Sequence, residues 1–215
     1  GFSVVRITAI MNEVNRRPDH SQAISYNDLQ VALRTLQGRS GHFPENTPTL
    51  DHLVLSSEAR TRLESLAHRM ARIVDIEAMG GSVPHGVLFY GPPGTGKTLC
   101  ARSLAKTAQW AFLPVSGLDL LSNPERVDDI LDEASELRPC VVFIDEADDV
   151  LADRRMSQSS VVTNKLLSAI DGSAGRIPDV LFIAATNHPE AMDAAALRGG
   201  RFTEKVAFNL PDQAT

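Results

Sequence analysis

Apolar residues along the chain form short continuous runs that end at glycine or polar residues. Three of these runs, residues 86–90, 141–144 and 180–185, have the length and the content of strands that are buried on both faces. Helical spacing follows the first run over residues 99–109. Runs of this kind predict an α/β core, and their carboxyl ends are where such a core opens into a ligand crevice.

Two further helical patterns precede this core. They cover residues 7–14 and 26–36, and Arg16-Arg17-Pro18-Asp19 separates them. Two helices of this size cannot form a stable domain alone, so we expect them to dock on something else. The Gly- and Pro-containing stretch 38–49 reads as a linker into the core.

The first strand-like run leads into a complete G-x-x-x-x-G-K-[ST] loop at residues 91–98, followed by a helical pattern. Strand, loop and helix in this order predict a phosphate site, with Lys97 reaching the β and γ phosphates and the Thr98 hydroxyl binding Mg²⁺. Since prolines have no N–H, the backbone donors must begin at Gly94. The predicted phosphate-binding residues are Gly91, Pro92, Pro93, Gly94, Thr95, Gly96, Lys97, Thr98 and Leu99.

The second run ends in two carboxylates, Asp145 and Glu146. Beside a metal-bound triphosphate they would divide the work: Asp145 would hold Mg²⁺, and Glu146 would accept the proton of the attacking water. The alternative is that both are solvated residues before the next helix. Asp148 and Asp149 fit that alternative, as acids in the first turn of a helix.

The third run is followed by Asn187, whose amide could hold a water against a γ phosphate, although an asparagine before His-Pro is also typical of a turn. Arg198 and Arg201 come next, around a Gly pair. A guanidinium group stabilises the charge that develops in phosphoryl transfer. The alternative is that the two arginines are exposed charges on a turn.

These motifs, in this order and approximate spacing, strongly resemble the AAA family of ring-forming ATPases from about Leu50 to Pro211. The resemblance makes residues 91–98 the Walker A loop, Asp145 and Glu146 the Walker B pair, and Asn187 the sensor that positions water. It assigns Arg198 and Arg201 to a neighbouring subunit's site. It also implies a five-stranded parallel sheet of order 5-1-4-3-2 flanked by helices, with hexamers as the working form.

The resemblance extends to the ends of the chain. Residues 1–37 resemble the end of an AAA helical lid, which would belong to a module before this one, and residues 50–215 would be a nucleotide-binding core without its own lid. An unrelated helical hairpin is the alternative for the first segment. The resemblance also implies adenine recognition around Leu53 and Val54, although the Gly pair usual after the preceding Asp is absent here.

A second departure concerns the loop with which threading members grip their substrate. That loop carries an aromatic-apolar-Gly motif after the second strand, whereas here residues 116–122 run directly into Asn123 without an aromatic residue. Either this substrate-binding pore loop is degenerate, or a mobile segment of the natural chain is missing between Ser122 and Asn123.

Composition agrees with this interpretation. The 215 residues carry 21 Lys and Arg against 27 Asp and Glu, a formal charge of −6 without a basic block, which argues against a nucleic-acid partner. There is no run long enough to span a bilayer. The positions of the two cysteines indicate packing residues in a reducing compartment. The Cys and His residues show no spacing typical of metal ligands.

We therefore expect a cytoplasmic ATP hydrolase with ATP and Mg²⁺ as cofactors, acting as a homo-hexamer on a protein substrate or adaptor. The alternative function is a nucleotide-dependent scaffold that binds ATP to hold a complex together and does little threading.

Overall fold

The computed structural model describes residues 4–15, 29, 32, 46–152, 160–173, 175, 177–193, 196–197 and 200–209. The strands are β1 Gly86–Tyr90, β2 Ala111–Ser116, β3 Cys140–Asp145, β4 Val180–Thr186 and β5 Phe202–Ala207. The helices are α1 Val4–Asn15, α2 Ser57–Ala71, α3 Ile73–Ala78, α4 Lys97–Ala108, α5 Gly117–Ser122, α6 Arg126–Leu137, α7 Ala147–Val150 and α8 Ser160–Asp171. Two 3₁₀ turns occupy Leu50–His52 and Pro189–Ala191.

The five strands form one parallel sheet in the order β2-β3-β4-β1-β5. This confirms the predicted fold class and the predicted order 5-1-4-3-2. The central strands β3 and β4 are the most apolar, and every residue of β4 is buried. A parallel sheet needs helices on both faces, so strands at its centre carry continuous apolar runs.

Successive residues of each strand point to opposite faces of the sheet, and this alternation divides the core into two layers. Leu88, Val142 and Phe182 pack against helices α5 to α8. Phe89 and Phe143 pack in the other layer, with α2 to α4. Both of these phenylalanines are completely buried, which stabilises the fold by about 1.5–3 kcal/mol for each ring.

The two sheet edges are protected against pairing with other chains. Pro114 lies exposed on the edge strand β2, where it has no N–H to offer. On β5, the Arg62 side chain donates to the Lys205 carbonyl at 3.1 Å, and Arg69 pairs with Glu204 at 2.6 Å. These two arginines fasten α2 along the β5 edge.

The amino-terminal part of the chain enters the core at a fixed point. Lys106 donates to the Thr47 carbonyl, and the Leu50 N–H donates to Thr107 Oγ1 at 3.0 Å, so the end of the predicted linker is docked on α4. The predicted helix 7–14 lies within α1, whereas the helix predicted over 26–36 falls outside the described residues apart from positions 29 and 32. The lid assignment therefore stays a prediction. Within the described ranges, no helix combines the length and apolarity needed to cross a bilayer.

Candidate active site

The carboxyl ends of β1, β4 and β3 lie side by side in the sheet. The predicted phosphate loop follows β1, Asn187 follows β4, and Glu146 follows β3. In a parallel sheet these ends share one edge, so three segments that are far apart in sequence contribute to one site.

The phosphate loop turns sharply as it leaves β1. Gly91 has φ +141°, and a Cβ at this position would lie 1.9 Å from the Phe208 carbonyl oxygen. The loop ends at Gly96, whose carbonyl accepts from the Cys100 N–H at 2.8 Å. That hydrogen bond closes the first turn of α4, so the helix begins at Lys97, two residues before the predicted start at Leu99. Lys97 and Thr98 are thereby held on a rigid helical turn.

The Lys97 ammonium is buried and makes three hydrogen bonds. It donates to the carbonyls of Gly91 and Pro92 at 2.8 Å each, and to Asn187 Oδ1 at 2.7 Å. Burial lowers the pKa of Lys97 from its ordinary value, while the carboxylates of Asp145 and Asp148 act in the opposite direction. The three direct hydrogen-bond partners of the ammonium are all neutral, so a phosphate oxygen would be a stronger partner than any of them.

A hydroxyl and a carboxylate meet next to this lysine. Thr98 Oγ1 donates to Asp145 Oδ2 at 2.9 Å, and Asp145 Oδ1 accepts from the Glu146 N–H at 3.1 Å. Mg²⁺ prefers oxygen ligands, and it takes only one or two carboxylates when phosphates and water complete its shell. Space beside the loop is open, since a Cβ on Gly94 or Gly96 would meet nothing within 4 Å. These residues fit Mg²⁺ bound together with a nucleoside triphosphate.

Glu146 adopts a left-handed backbone conformation, φ +51° and ψ +47°, which directs the chain from β3 into α7. Its side chain is exposed. The turn packs tightly against α5, because a Cβ on Gly117 would lie 2.3 Å from the Glu146 carbonyl oxygen. A carboxylate on such a turn is accessible to water, as a general base must be.

Asp148 lies in the first turn of α7, as the sequence predicts. Its carboxylate also has a partner that the sequence pattern did not predict: Thr186 Oγ1, at the end of β4, donates to Asp148 Oδ1 at 2.8 Å. A hydroxyl at the end of an otherwise apolar strand, opposite an acid-rich turn, is the signal that could have indicated this contact. Asp149 is exposed, in agreement with its interpretation as a first-turn acid.

Arg201 lies on the chain before β5 and contacts the end of α8. Its Nε donates to Asp171 Oδ2 at 2.9 Å, and a terminal guanidinium nitrogen lies 2.8 Å from the same oxygen. Hydrogen bonds from Ser173 and then the contacts with Arg201 lower the pKa of Asp171 below its usual range. Arg201 is thus engaged within its own chain. Arg198 lies outside the described residues, and the roles of both arginines stay predictions.

The two residues predicted to contact adenine precede α2, where Leu53 is half-buried against the core and Val54 is exposed. The Leu53 carbonyl accepts from Arg60 at 2.6 Å, and Val54 is 76% exposed. An exposed valine at this position is available to an aromatic base, although no contact within the chain tests that role.

The segment in which a substrate-gripping aromatic is expected folds as the short helix α5. Asn123 ends this helix with its N–H donating to the Asp119 carbonyl at 2.9 Å. Leu118 is the apolar side chain that α5 exposes, with 59% of its surface accessible. Between Gly117 and Asn123, therefore, the chain offers a leucine to a ligand and no aromatic ring.

Other chemistry is not visible in the described part of the chain. No group of three or more His, Cys, Asp and Glu side chains in these ranges could hold a metal ion by itself. Both cysteines are free and buried, and burial raises the pKa of each thiol to about 12. The two cysteines therefore act as packing residues, as expected.

Comparison with known proteins gives a consistent result. Residues 87–210 match the family described as the ATPase family associated with various cellular activities (AAA). Over 180 residues the chain is 37% identical to the ATP-dependent zinc metalloprotease FTSH 6, chloroplastic, of Oryza sativa subsp. japonica, which covers 79% of this chain and 26% of that protein. Over 145 residues it is 40% identical to the cell division cycle protein 48 homolog of Archaeoglobus fulgidus, covering 64% of this chain and 20% of the relative. The matched region is thus about a quarter of the length of these relatives or less.

Proposed function

Because the chain belongs to the AAA family of ATPases, we propose that this site binds Mg²⁺–ATP and hydrolyses it, and that hydrolysis drives the remodelling or unfolding of a protein substrate by a homo-hexameric ring. One observation carries the proposal: hydrogen bonds join Lys97 to Asn187 and Thr98 to Asp145 at one edge of the sheet. One relative supports the proposed use of ATP through its name, since the rice protein is called an ATP-dependent zinc metalloprotease.

Each side chain has a task that its position permits. Lys97 would exchange its carbonyl partners for phosphate oxygens, and the neighbouring Thr98 and Asp145 would hold Mg²⁺. When bound, Mg²⁺–ATP supplies the phosphoanhydride bond that water cleaves. Glu146 accepts the proton of that water, and Asn187 orients it.

The test separates binding from hydrolysis in the full-length protein. Lys97→Ala removes the positive charge from the loop and should abolish Mg²⁺–ATP binding in calorimetry. Glu146→Gln keeps size and polarity but cannot take a proton, so ATP should still bind while turnover falls by about 10²- to 10⁴-fold. Equal loss of binding in both variants would show that the two roles are not distinct.

The ring is tested through the arginines. If Arg198 acts on the neighbouring subunit, Arg198→Ala subunits mixed with Lys97→Ala subunits should regain hydrolysis, because mixed interfaces pair an intact loop with an intact arginine. Co-assembly without recovered activity would contradict action in trans. The loss in Arg198→Ala alone should be large, about 10³- to 10⁵-fold, if the arginine is essential.

A second candidate function is a nucleotide-dependent scaffold. The exposed Leu118 on α5, without an aromatic neighbour, favours it, because an aliphatic side chain grips a threaded polypeptide less firmly than a ring. A scaffold needs ATP to be bound but not hydrolysed. Glu146→Gln should then assemble and support the protein's biological role as wild type does, whereas a remodelling enzyme with this substitution should assemble and fail.

A further inference from the structure

The backbone does not pair the two strand ends that carry Glu146 and Asn187. Pairing between β3 and β4 stops at Ile144 and Ala184. Beyond this point β3 continues beside β2 and β4 continues beside β1, with Thr186 opposite Tyr90. Backbone pairing therefore does not set the distance between Glu146, the proposed general base, and Asn187, the amide proposed to orient water. Contacts between side chains must set that distance.

Thr186 and Asp148 make a link across this gap. Thr186 is 1% exposed; its hydroxyl donates to Asp148 Oδ1 at 2.8 Å and accepts from the His188 N–H at 2.9 Å. Thr186 and His188 are the residues on either side of Asn187, so one hydroxyl binds the backbone around the amide and the turn that carries Glu146. A buried hydroxyl that both donates and accepts a hydrogen bond is held rigidly, because breaking either hydrogen bond costs free energy.

The turn on the other side of this link needs such support. Glu146 is in the left-handed region, which a residue with a side chain adopts persistently only where the surroundings determine it. On the α5 side, Gly117 lies so close to the Glu146 carbonyl that there is no room for a Cβ between them. The Asp149 N–H also donates to that carbonyl at 3.1 Å. The contact between Asp148 and Thr186 holds the turn from the β4 side.

We propose that Thr186 and Asp148 are positioning residues for ATP hydrolysis: their hydrogen bond fixes the turn that carries Glu146 against the strand end that carries Asn187. The inference rests on the function proposed above, and neither residue touches the reacting atoms in this role. Removing the link should leave nucleotide binding in place, because Lys97 and Thr98 are held by α4 and by their own partners. It should lower the rate, since general-base catalysis depends on placement to a fraction of an ångström.

The experiment compares variants of the full-length protein in steady-state hydrolysis and calorimetry. Thr186→Val keeps the shape and removes the hydroxyl, so kcat should fall by about 10- to 100-fold while the affinity for Mg²⁺–ATP stays within about threefold. Thr186→Ser restores the hydroxyl and should recover most of the rate. Asp148→Ala should reproduce the loss, and the double variant should be no slower than the slower single variant, as expected for two residues acting as one link.

Two controls separate positioning from a general loss of stability. Thr163→Val removes another hydroxyl with 1% exposure that also bonds to α7, through the Val150 carbonyl, and should leave kcat within about twofold. In a Glu146→Gln background, Thr186→Val should lower kcat by no more than about a further twofold, because Thr186 acts through Glu146. An unchanged rate in Thr186→Val, or an equal loss in Thr163→Val, would overturn the proposal.

Hydrogen exchange distinguishes failure of this inference from failure of the proposed function. Thr186→Val should speed exchange of the Asp149 N–H, which bonds to Glu146, and Thr163→Val should not. A wild-type protein that binds ATP without turnover would refute the proposed hydrolysis, yet exchange would still show whether Thr186 holds the turn. Unchanged exchange in Thr186→Val would overturn the link itself.

Discussion

Lys97 Nζ donates to Asn187 Oδ1 at 2.7 Å and so joins the first turn of α4 to the end of β4, 90 residues further along the chain. The same ammonium satisfies the carbonyls of Gly91 and Pro92. The lysine thus binds two carbonyls of its own phosphate loop. When a triphosphate binds, the ammonium must give up its hydrogen bond to the Asn187 amide or divide its donors between that amide and the phosphates.

This contact predicts opposite outcomes for two substitutions of Asn187. Asn187→Asp places a carboxylate beside the ammonium, where it competes with the phosphates and repels them, so affinity for Mg²⁺–ATP should fall by at least about tenfold. Asn187→Ala leaves Lys97 its two carbonyl partners, so affinity should stay close to wild type while turnover falls. Calorimetry and a phosphate-release assay measure both. If the alanine variant binds as weakly as the aspartate variant, charge is not the cause.

Two glycines of the loop should differ sharply in their tolerance of a methyl group. Both have positive φ, but a Cβ at Gly91 would lie 1.9 Å from the Phe208 carbonyl, whereas one at Gly94 would meet nothing within 4 Å. Gly91→Ala should lower the free energy of unfolding by at least about 3 kcal/mol. Gly94→Ala should lower it by about 1–2 kcal/mol, the cost of a left-handed non-glycine residue. Denaturant titration gives both values, and equal losses would contradict the close approach of Gly91 to Phe208.

The ion pair between Arg201 and Asp171 should stabilise the fold in a pH-dependent way. The folded state lowers the pKa of Asp171, first through hydrogen bonds from Ser173 and then through Arg201, so the contribution of Arg201 is present above the ordinary aspartate pKa and is lost as the pH falls through the folded value. Arg201→Ala should therefore cost about 1 kcal/mol near neutral pH and less under acid conditions. Unfolding by denaturant at several pH values measures the difference.

The control is Arg72→Ala, which breaks the ion pair between Arg72 and Asp75. The side chains of Arg72 and Asp75 are 57% and 56% exposed, respectively. This variant should change stability by only a few tenths of a kcal/mol at any pH. A loss in Arg201→Ala that does not change with pH would mean that the guanidinium acts through packing and not through the carboxylate.

Both cysteines should resist alkylation in the native protein. Burial raises the pKa of Cys100 and Cys140 to about 12, so at pH 8 about one thiol in 10⁴ is ionised, and neither is accessible. Iodoacetamide should label neither residue in the folded state and both in denaturant, as read by mass spectrometry. Rapid labelling of Cys100 alone under native conditions would show that α4 opens locally.

Much of this protein is determined locally and could be predicted from the sequence. Continuous apolar runs predict β1, β3 and β4, which are strands of a sheet covered on both faces, and the residues of the phosphate loop specify their own turn. The edge strands β2 and β5 are interrupted by exposed residues, so only the family resemblance predicts them. Even here α4 begins two residues before its predicted start, since the hydrogen bond from the Cys100 N–H to the Gly96 carbonyl that closes the first turn has no signature in apolar spacing.

The contacts between the strand ends were decided by tertiary structure alone. Asp148 meets Thr186 across 38 residues, and Lys97 meets Asn187 across 90. Each depends on which strands are neighbours and where their pairing stops, as it does between β3 and β4 at Ile144 and Ala184. The sequence alone determined which chemical groups stand at the strand ends. Only the packed sheet decided which of them touch, because a hydrogen bond requires its two atoms to lie within about 3 Å, and chain spacing does not encode that distance.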